Sequence, residues 1–170
     1  DSDAKMLGPG SLYTVPEVAR FKRLFGHAWP AVAGVILKGE KVTSDECAQI
    51  LKQCHPILAE VSADCDFAQK KRPVARLVAG VMVPASLLKT LGDDKKLQSA
   101  NYLRAGESLR FAEPNGDWVS VFIGQFVYSL ARKRMPRGLT PIGRLRSGPL
   151  ADLRHWLAAQ ATRPGYLSVH

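Results

Sequence analysis

The segment from Trp118 to Arg134 constrains the fold more than any other part of the chain. Its apolar residues recur at i, i+3, i+4, i+7, i+8 and i+11, namely Val119, Phe122, Ile123, Phe126, Val127 and Leu130. This spacing is typical of one face of a helix, with Asp117 as its N-cap and Pro136 just beyond its end. We therefore predict a long buried helix over 118–134. Because Val, Ile and Phe favour strands, a strand from Trp118 to about Ile123 remains the alternative.

Helix start and stop signals are frequent elsewhere in the chain. Thr14 and Glu17 have the spacing of a capping box, and Thr43 to Glu46 form another start signal with acids in the first turn. The helix predicted after Thr43 runs toward Val61, with Pro56 kinking or splitting it. A last helix is predicted over 149–161, with Ser147 as its cap. Further short helices are predicted over 28–38, from Pro84 to Leu91, and up to about Arg104.

A short alternating pattern at Ser108 to Glu113, followed by the turn-like Pro114 to Asp117, also fits a hairpin. The predicted fold class is mainly α, a single-domain bundle of about seven short helices, with a small β-hairpin near 108–123 left open. The predicted organisation is a flexible N-terminal arm over 1–12 and one globular helical domain over 13–170. An Arg-rich loop over 132–148 belongs to that domain.

The composition of the 170 residues is that of a folded protein, with 46% hydrophobic and 23% charged residues. Uninterrupted apolar stretches stay well short of the roughly 18 residues that span a membrane, so no span is predicted. Three cysteines, Cys47, Cys54 and Cys65, leave one unpaired in any disulfide scheme. We interpret them as reduced core thiols, which favours a cytoplasmic or otherwise intracellular protein.

Signatures of catalysis, cofactor binding and metal binding are not found in the sequence. Cys54 and His55 are adjacent, and neither a CxxC nor an HxxxH pattern completes a metal site. The four histidines lie far apart without a nucleophile motif, and glycine loops for phosphates are missing. We therefore expect no cofactor, no metal and no catalytic residue. An enzyme such as a nuclease, with acids scattered in the sequence, stays open as a third hypothesis.

The charge is uneven along the chain. The net charge is +9, of which residues 110–170 contribute nine basic minus three acidic residues, or +6. Residues 131–148 hold six basic residues and no acid, with Arg outnumbering Lys five to one. Because guanidinium groups bind phosphate and carboxylate bidentately, this bias favours an anion-binding surface.

The leading hypothesis is a non-catalytic protein that binds nucleic acid, DNA or RNA, in a regulatory, accessory or packaging role. The alternative is an interaction or self-assembly protein, including a homo-oligomer, whose basic loop docks an acidic partner. At the end of the predicted helix, Arg132 to Arg134 can offset the helix dipole. The arginines beyond Pro136 have no such structural role, so they favour binding. The candidate nucleic-acid-binding residues are Arg132, Lys133, Arg134, Arg137, Arg144, Arg146, Arg154, Lys70, Lys71 and Arg72.

Overall fold

An antiparallel β-sheet forms the centre of the protein in the computed structural model, which describes residues 8–37, 42–64, 74–97, 99, 102–104, 111–113 and 116–161. Within these residues seven strands belong to one sheet, in the order β4-β6-β3-β2-β1-β7, with β5 also pairing with β6. The strands are β1 (Ser11–Thr14), β2 (His55–Glu60), β3 (Val74–Pro84), β4 (Tyr102–Arg104), β5 (Phe111–Glu113), β6 (Gly116–Ala131) and β7 (Thr140–Arg144). The mainly α bundle predicted from the sequence is therefore wrong.

Helical elements cover both faces of the sheet. The α-helices are α1 (Phe21–Phe25), α2 (Trp29–Ala33), α3 (Ser44–Lys52), α4 (Leu88–Leu91), α5 (Asp94–Leu97) and α6 (Ser147–Ala161). Short 3₁₀ segments span Val18–Arg20, Gly34–Leu37, Ala85–Leu87 and Arg132–Arg137. Leu58 packs in the larger core cluster with residues of the first five helices, whereas its neighbour Ile57 packs in a second cluster with Leu150 and Leu153 of α6. The sheet is thus the middle of three layers.

The segment predicted as the long helix 118–134 is the strand β6. It pairs with β3, β4 and β5, and its consecutive residues from Val119 to Ile123 are all buried, as in a strand between two covered faces. The pairing of β3 with β6 shifts register between Val78 and Gly80, which pair with Val127 and Phe122. Across this irregularity the residues in the larger core cluster change from odd to even numbers: Val121 and Ile123 before it, and Phe126, Tyr128 and Leu130 after it. Core-facing residues alternate along a strand, and the irregularity shifts this alternation by one residue. The shifted alternation produced the apparent helical spacing.

Other predicted helices are shorter than expected or are strands. The helix from Thr43 ends at Lys52, and Pro56 lies in β2 rather than at a kink. The helix predicted up to about Arg104 stops at Leu97, and β4 begins at Tyr102. Thr14 belongs to β1 and caps no helix, because the first helical turn begins only at Val18, with Glu17 in the N-cap position.

Two other local signals, the helix start at Thr43 and the last helix, were predicted correctly. Thr43 and Glu46 form a complete capping box, with the Thr43 Oγ1 accepting from the Glu46 N–H at 3.2 Å. Helix α6 spans Ser147–Ala161, close to the predicted range. Strand β5 also pairs with the start of β6, Glu113 opposite Gly116, where the hairpin alternative was placed.

The N-terminal residues that the structure describes are packed into the fold. Gly8 to Leu12 are buried, and Ser11 and Leu12 already belong to β1. Residues 1–7 of the predicted arm lie outside the described residues. The predicted Arg-rich loop contains a 3₁₀ segment, the edge strand β7 and the first residues of α6.

We expect Gly80→Ala to destabilise the protein, because Gly80 lies in the central strand β3. A Cβ at this position would lie 2.7 Å from the Val121 carbonyl oxygen and 2.8 Å from the Phe122 ring. Overpacking of this kind costs about 1–3 kcal/mol, whereas Gly→Ala within an exposed helix stabilises by about 0.5–1 kcal/mol. Urea unfolding followed by tryptophan fluorescence measures the difference. Gly34→Ala is the matched control, since nothing lies within 4 Å of its added Cβ; equal effects of the two substitutions would contradict this packing.

Candidate functional site

The 3₁₀ segment Arg132–Arg137 follows β6 and packs against the first helices. Met135 at its centre is fully buried. Gly138, directly after it, lies so close to Leu24 that an added Cβ would be 2.6 Å from the Leu24 Cδ1. This apolar anchor leaves Lys133, Arg134 and Arg137 exposed at the surface.

Two hydrogen bonds join this segment to the chain around α1. Arg20 Nη1 donates to the Arg137 carbonyl oxygen at 3.0 Å, and Arg134 Nη2 donates to the Arg23 carbonyl oxygen at 3.2 Å. Two basic segments that are more than 100 residues apart therefore lie side by side. We call their six exposed cations the basic face: Arg20, Lys22, Arg23, Lys133, Arg134 and Arg137.

The basic face has little acidic compensation. Glu17 is the one acid in residues 16–26 and 133–140, so these two stretches hold six basic residues and one acidic residue, a net +5. Glu17 pairs with Arg20 at 2.8 Å, and both side chains are largely exposed. Because exposed ion pairs contribute little and are screened by salt, this pair is easily exchanged for a stronger anion.

Three of the candidate residues predicted from the sequence belong to the basic face, namely Lys133, Arg134 and Arg137. Arg144 at the end of β7 and Arg146 before α6 are exposed, but no hydrogen bond described for either links it to the basic face. Lys70, Lys71 and Arg72 lie outside the described residues.

Arg132 and Arg154 are held by acids. The guanidinium of Arg132 binds Glu60, whose side chain is completely buried. Arg154 donates to the Ser62 carbonyl oxygen and lies 3.4 Å from the Asp64 carboxylate. Both arginines line a separate groove with Arg76 rather than the basic face.

Arg20, Lys22 and Arg23 were missed by the sequence analysis. They lie within four consecutive positions, and three cations in so short a stretch do not by themselves distinguish a binding surface from an ordinary exposed segment. Their significance depends on the contact with residues 133–137, and that contact is a tertiary one.

Aromatic side chains take part in packing rather than in a stacking surface. Phe21, Phe25 and Tyr128 form a cluster with ring centroids 4.8–6.2 Å apart. The Tyr128 hydroxyl lies 3.0 Å from His27 Nδ1, and burial raises the pKa of Tyr128. Trp156 donates to the Ser99 carbonyl oxygen at 3.1 Å. Among the side chains that the structure describes, no aromatic residue is exposed, so the basic face lacks a platform for bases.

Groups suited to catalysis are not brought together in the described part of the chain. Cys54 is buried, donates its S–H to the Ile50 carbonyl oxygen at 3.2 Å, and has its pKa raised to about 12 by desolvation. This thiol is therefore protonated near neutral pH and is a poor nucleophile. Within the described ranges no three His, Cys, Asp or Glu side chains are grouped as metal ligands.

No family model, curated protein or solved structure matches this chain. Of the helices that the structure describes, none combines the length and the apolar composition needed to cross a bilayer.

Proposed function

We propose that the protein binds nucleic acid through the phosphate backbone, using the basic face. The observation that supports this proposal is the convergence of Arg20, Lys22 and Arg23 on Lys133, Arg134 and Arg137, with Glu17 as the one acid in the two stretches. Phosphate contacts from Lys and Arg supply most of the affinity in sequence-independent binding. A row of exposed cations on a packed support has the chemistry that such binding requires.

The guanidinium groups of the basic face keep donors for a ligand. Each guanidinium has five N–H donors. Arg20 and Arg134 use part of theirs on backbone carbonyls, which fixes their position on the surface. Arginines restrained in this way lose less conformational freedom when they bind a phosphate than free side chains do.

The proposed binding discriminates weakly between sequences. Base recognition needs side chains that enter a groove or aromatic rings that stack on bases. The residues of the basic face come from the short helix α1 and from two 3₁₀ segments, and none of them is aromatic. We therefore expect similar affinity for oligonucleotides of different sequence.

The alternative of self-assembly has less support from the described residues. β7 lies at one end of the sheet order, where a second copy could add a strand. It contains Pro141 and ends at the exposed Arg144. Proline and charge on an edge strand are features that oppose pairing between edges.

We expect the double variant Lys133→Glu/Arg137→Glu to lose affinity for mixed-sequence oligonucleotides by more than about tenfold at low salt. Each lost phosphate contact also flattens the slope of log K against log salt by about one unit, hence by about two units in all. Fluorescence anisotropy across a salt series measures both quantities.

The matched control is Arg144→Glu/Arg146→Glu, which changes the net charge equally and lies outside the basic face. It is expected to have a clearly smaller effect on affinity and slope. The proposal fails if the unmodified protein does not bind oligonucleotides at low salt. It also fails if the two double variants, folded to the same extent by circular dichroism, weaken binding equally.

A further inference from the structure

A groove of about 400 Å³ lies where the ends of β2, β3 and β6 meet helix α6. Three arginines from three different elements line it: Arg76 of β3, Arg132 after β6 and Arg154 of α6. Its volume falls at the lower end of the range for small-molecule sites, about 300–1,000 Å³. This space accommodates a small metabolite rather than a polymer.

Among the described residues, two of the three arginines of the groove pair with a carboxylate and the third does not. Glu60 pairs with Arg132 from its buried position, and Asp64 pairs with Arg154. Arg76 is exposed, and no carboxylate within the described ranges pairs with it. Among the described residues, three guanidinium groups and two carboxylates give this part of the groove a net charge of +1.

The floor of the groove is held in place by hydrogen bonds. The Ser62 hydroxyl donates to Glu60 Oε1 at 3.1 Å and accepts from the Arg76 backbone N–H at 3.0 Å. Through Glu60 the same chain of contacts reaches the guanidinium of Arg132. A buried acid thus orients one arginine of the groove before any ligand arrives, which reduces the conformational cost of binding.

The Arg154–Asp64 pair is suited to exchange with a ligand. Its N–O distance is 3.4 Å, and the Asp64 side chain is 76% exposed. An exposed pair of this kind contributes little to stability and competes weakly with another anion. In contrast, the bond from Arg154 to the Ser62 carbonyl oxygen keeps the guanidinium in the groove.

The rim of the groove also carries an apolar contact. Val74 is 39% exposed and is the one large hydrophobic residue that is exposed among the side chains the structure describes. It lines the groove together with Val61. An exposed apolar residue beside cations suits a ligand that has a carbon skeleton as well as an anionic group.

We propose that this groove binds a small phosphate monoester. Guanidinium groups that approach from three elements match the three terminal oxygens of a tetrahedral phosphate better than the two coplanar oxygens of a carboxylate. Val74 contacts the carbon part of the ligand. This site is independent of the basic face, and its ligand is a small molecule, not a nucleic-acid backbone.

The test is isothermal titration calorimetry with glycerol 3-phosphate, with glycerol and acetate as comparison ligands. Glycerol 3-phosphate is expected to bind saturably at millimolar concentration or below and more tightly than either comparison ligand. Arg76→Gln is expected to weaken this binding by roughly tenfold or more, because one charge-assisted contact is lost. Arg146→Gln removes the same charge from an exposed arginine outside the groove and is expected to leave the affinity unchanged.

Asp64→Asn is expected to change the affinity for glycerol 3-phosphate in the opposite direction. Removing the carboxylate that competes for Arg154 is expected to tighten glycerol 3-phosphate binding several-fold, an effect that general destabilisation does not produce. The proposal is overturned if glycerol 3-phosphate does not bind saturably or if acetate binds as tightly. It is also overturned if Arg76→Gln and Arg146→Gln behave alike, or if Asp64→Asn weakens binding. Oligonucleotide binding by Arg76→Gln is expected to stay intact, so the two proposals can fail separately.

Discussion

Arg132→Ala is expected to destabilise the protein by about 3–5 kcal/mol, the cost of leaving one partner of a buried ion pair alone. Glu60, its partner, has no exposed surface, and the Arg132 side chain is only 19% exposed. The Ser62 hydroxyl also donates to the Glu60 carboxylate, but this neutral donor does not replace the positive charge of the guanidinium when Arg132 is removed. Chemical unfolding at neutral pH, compared with the unmodified protein, measures the loss.

The surroundings of Glu60 make this cost large. Tyr13, on the neighbouring strand β1, has its pKa raised mainly by burial, and the Glu60 charge adds to the rise. The Glu60 Oε2 and the Tyr13 hydroxyl are both buried, and the Tyr13 hydroxyl interacts with the Glu60 side chain. An environment this poor in solvent screens an isolated carboxylate weakly.

Two further variants separate the ion pair from a general effect of charge. Lys133→Ala removes the adjacent cation, which is exposed, and is expected to leave the stability nearly unchanged. Glu60→Gln in the Arg132→Ala background is expected to recover part of the loss, because no buried charge remains. A loss under about 1 kcal/mol for Arg132→Ala would show that the carboxylate has solvent or another partner. The result also bears on the binding assays, since reduced nucleic-acid binding by Arg132→Ala would reflect unfolding rather than a lost contact.

Phe122→Ala is expected to cost about 3–5 kcal/mol, the usual range for truncating a buried Phe. Phe122 is 1% exposed and packs in the second core cluster between the sheet and α6. Gly80 is its direct partner on β3, and the Phe122 ring occupies the space that a side chain at Gly80 would need. Since the directly paired residue is glycine, that position has no side chain to fill the cavity, which favours the upper part of the range.

A combination with the glycine variant tests this geometry directly. Gly80→Ala is expected to cost less in the Phe122→Ala background than alone, because the ring that its Cβ would contact at 2.8 Å is gone. Part of the cost remains, since the Val121 carbonyl oxygen lies 2.7 Å from the same Cβ. Unfolding free energies of the two single variants and the double variant give the coupling. Additive losses would contradict direct contact between the two positions.

Elements held by contacts between neighbouring residues were predicted better than elements that depend on distant parts of the chain. The capping box at Thr43 and the helix α6 rest on contacts within a few residues, and both were predicted correctly. The long helix over 118–134 was wrong because an irregularity in β6 shifts the phase of its alternation. A two-residue period with a shift in its middle resembles a three- to four-residue period over a short window.

The candidate site was predicted in part, for a similar reason. The density of arginine over 131–148 marks Lys133, Arg134 and Arg137, which lie on the basic face. This pattern does not distinguish these three residues from Arg132, which binds the buried Glu60. Glu60 stands alone at the end of an apolar strand, which indicates that it needs a cationic partner, but not which one.

The sequence by itself determined the excess of positive charge, its concentration in the second part of the chain, and the helices whose ends are capped by neighbouring residues. The tertiary structure decided which segments are strands, because burial on both faces of a sheet depends on layers contributed by distant parts of the chain. It also decided which arginines face solvent together and which are paired inside. The physical reason is that charge and local hydrogen bonding depend on residues close together in the sequence. In contrast, Arg132 lies 72 positions from Glu60, and the two halves of the basic face are joined by hydrogen bonds between residues 111 and 117 positions apart.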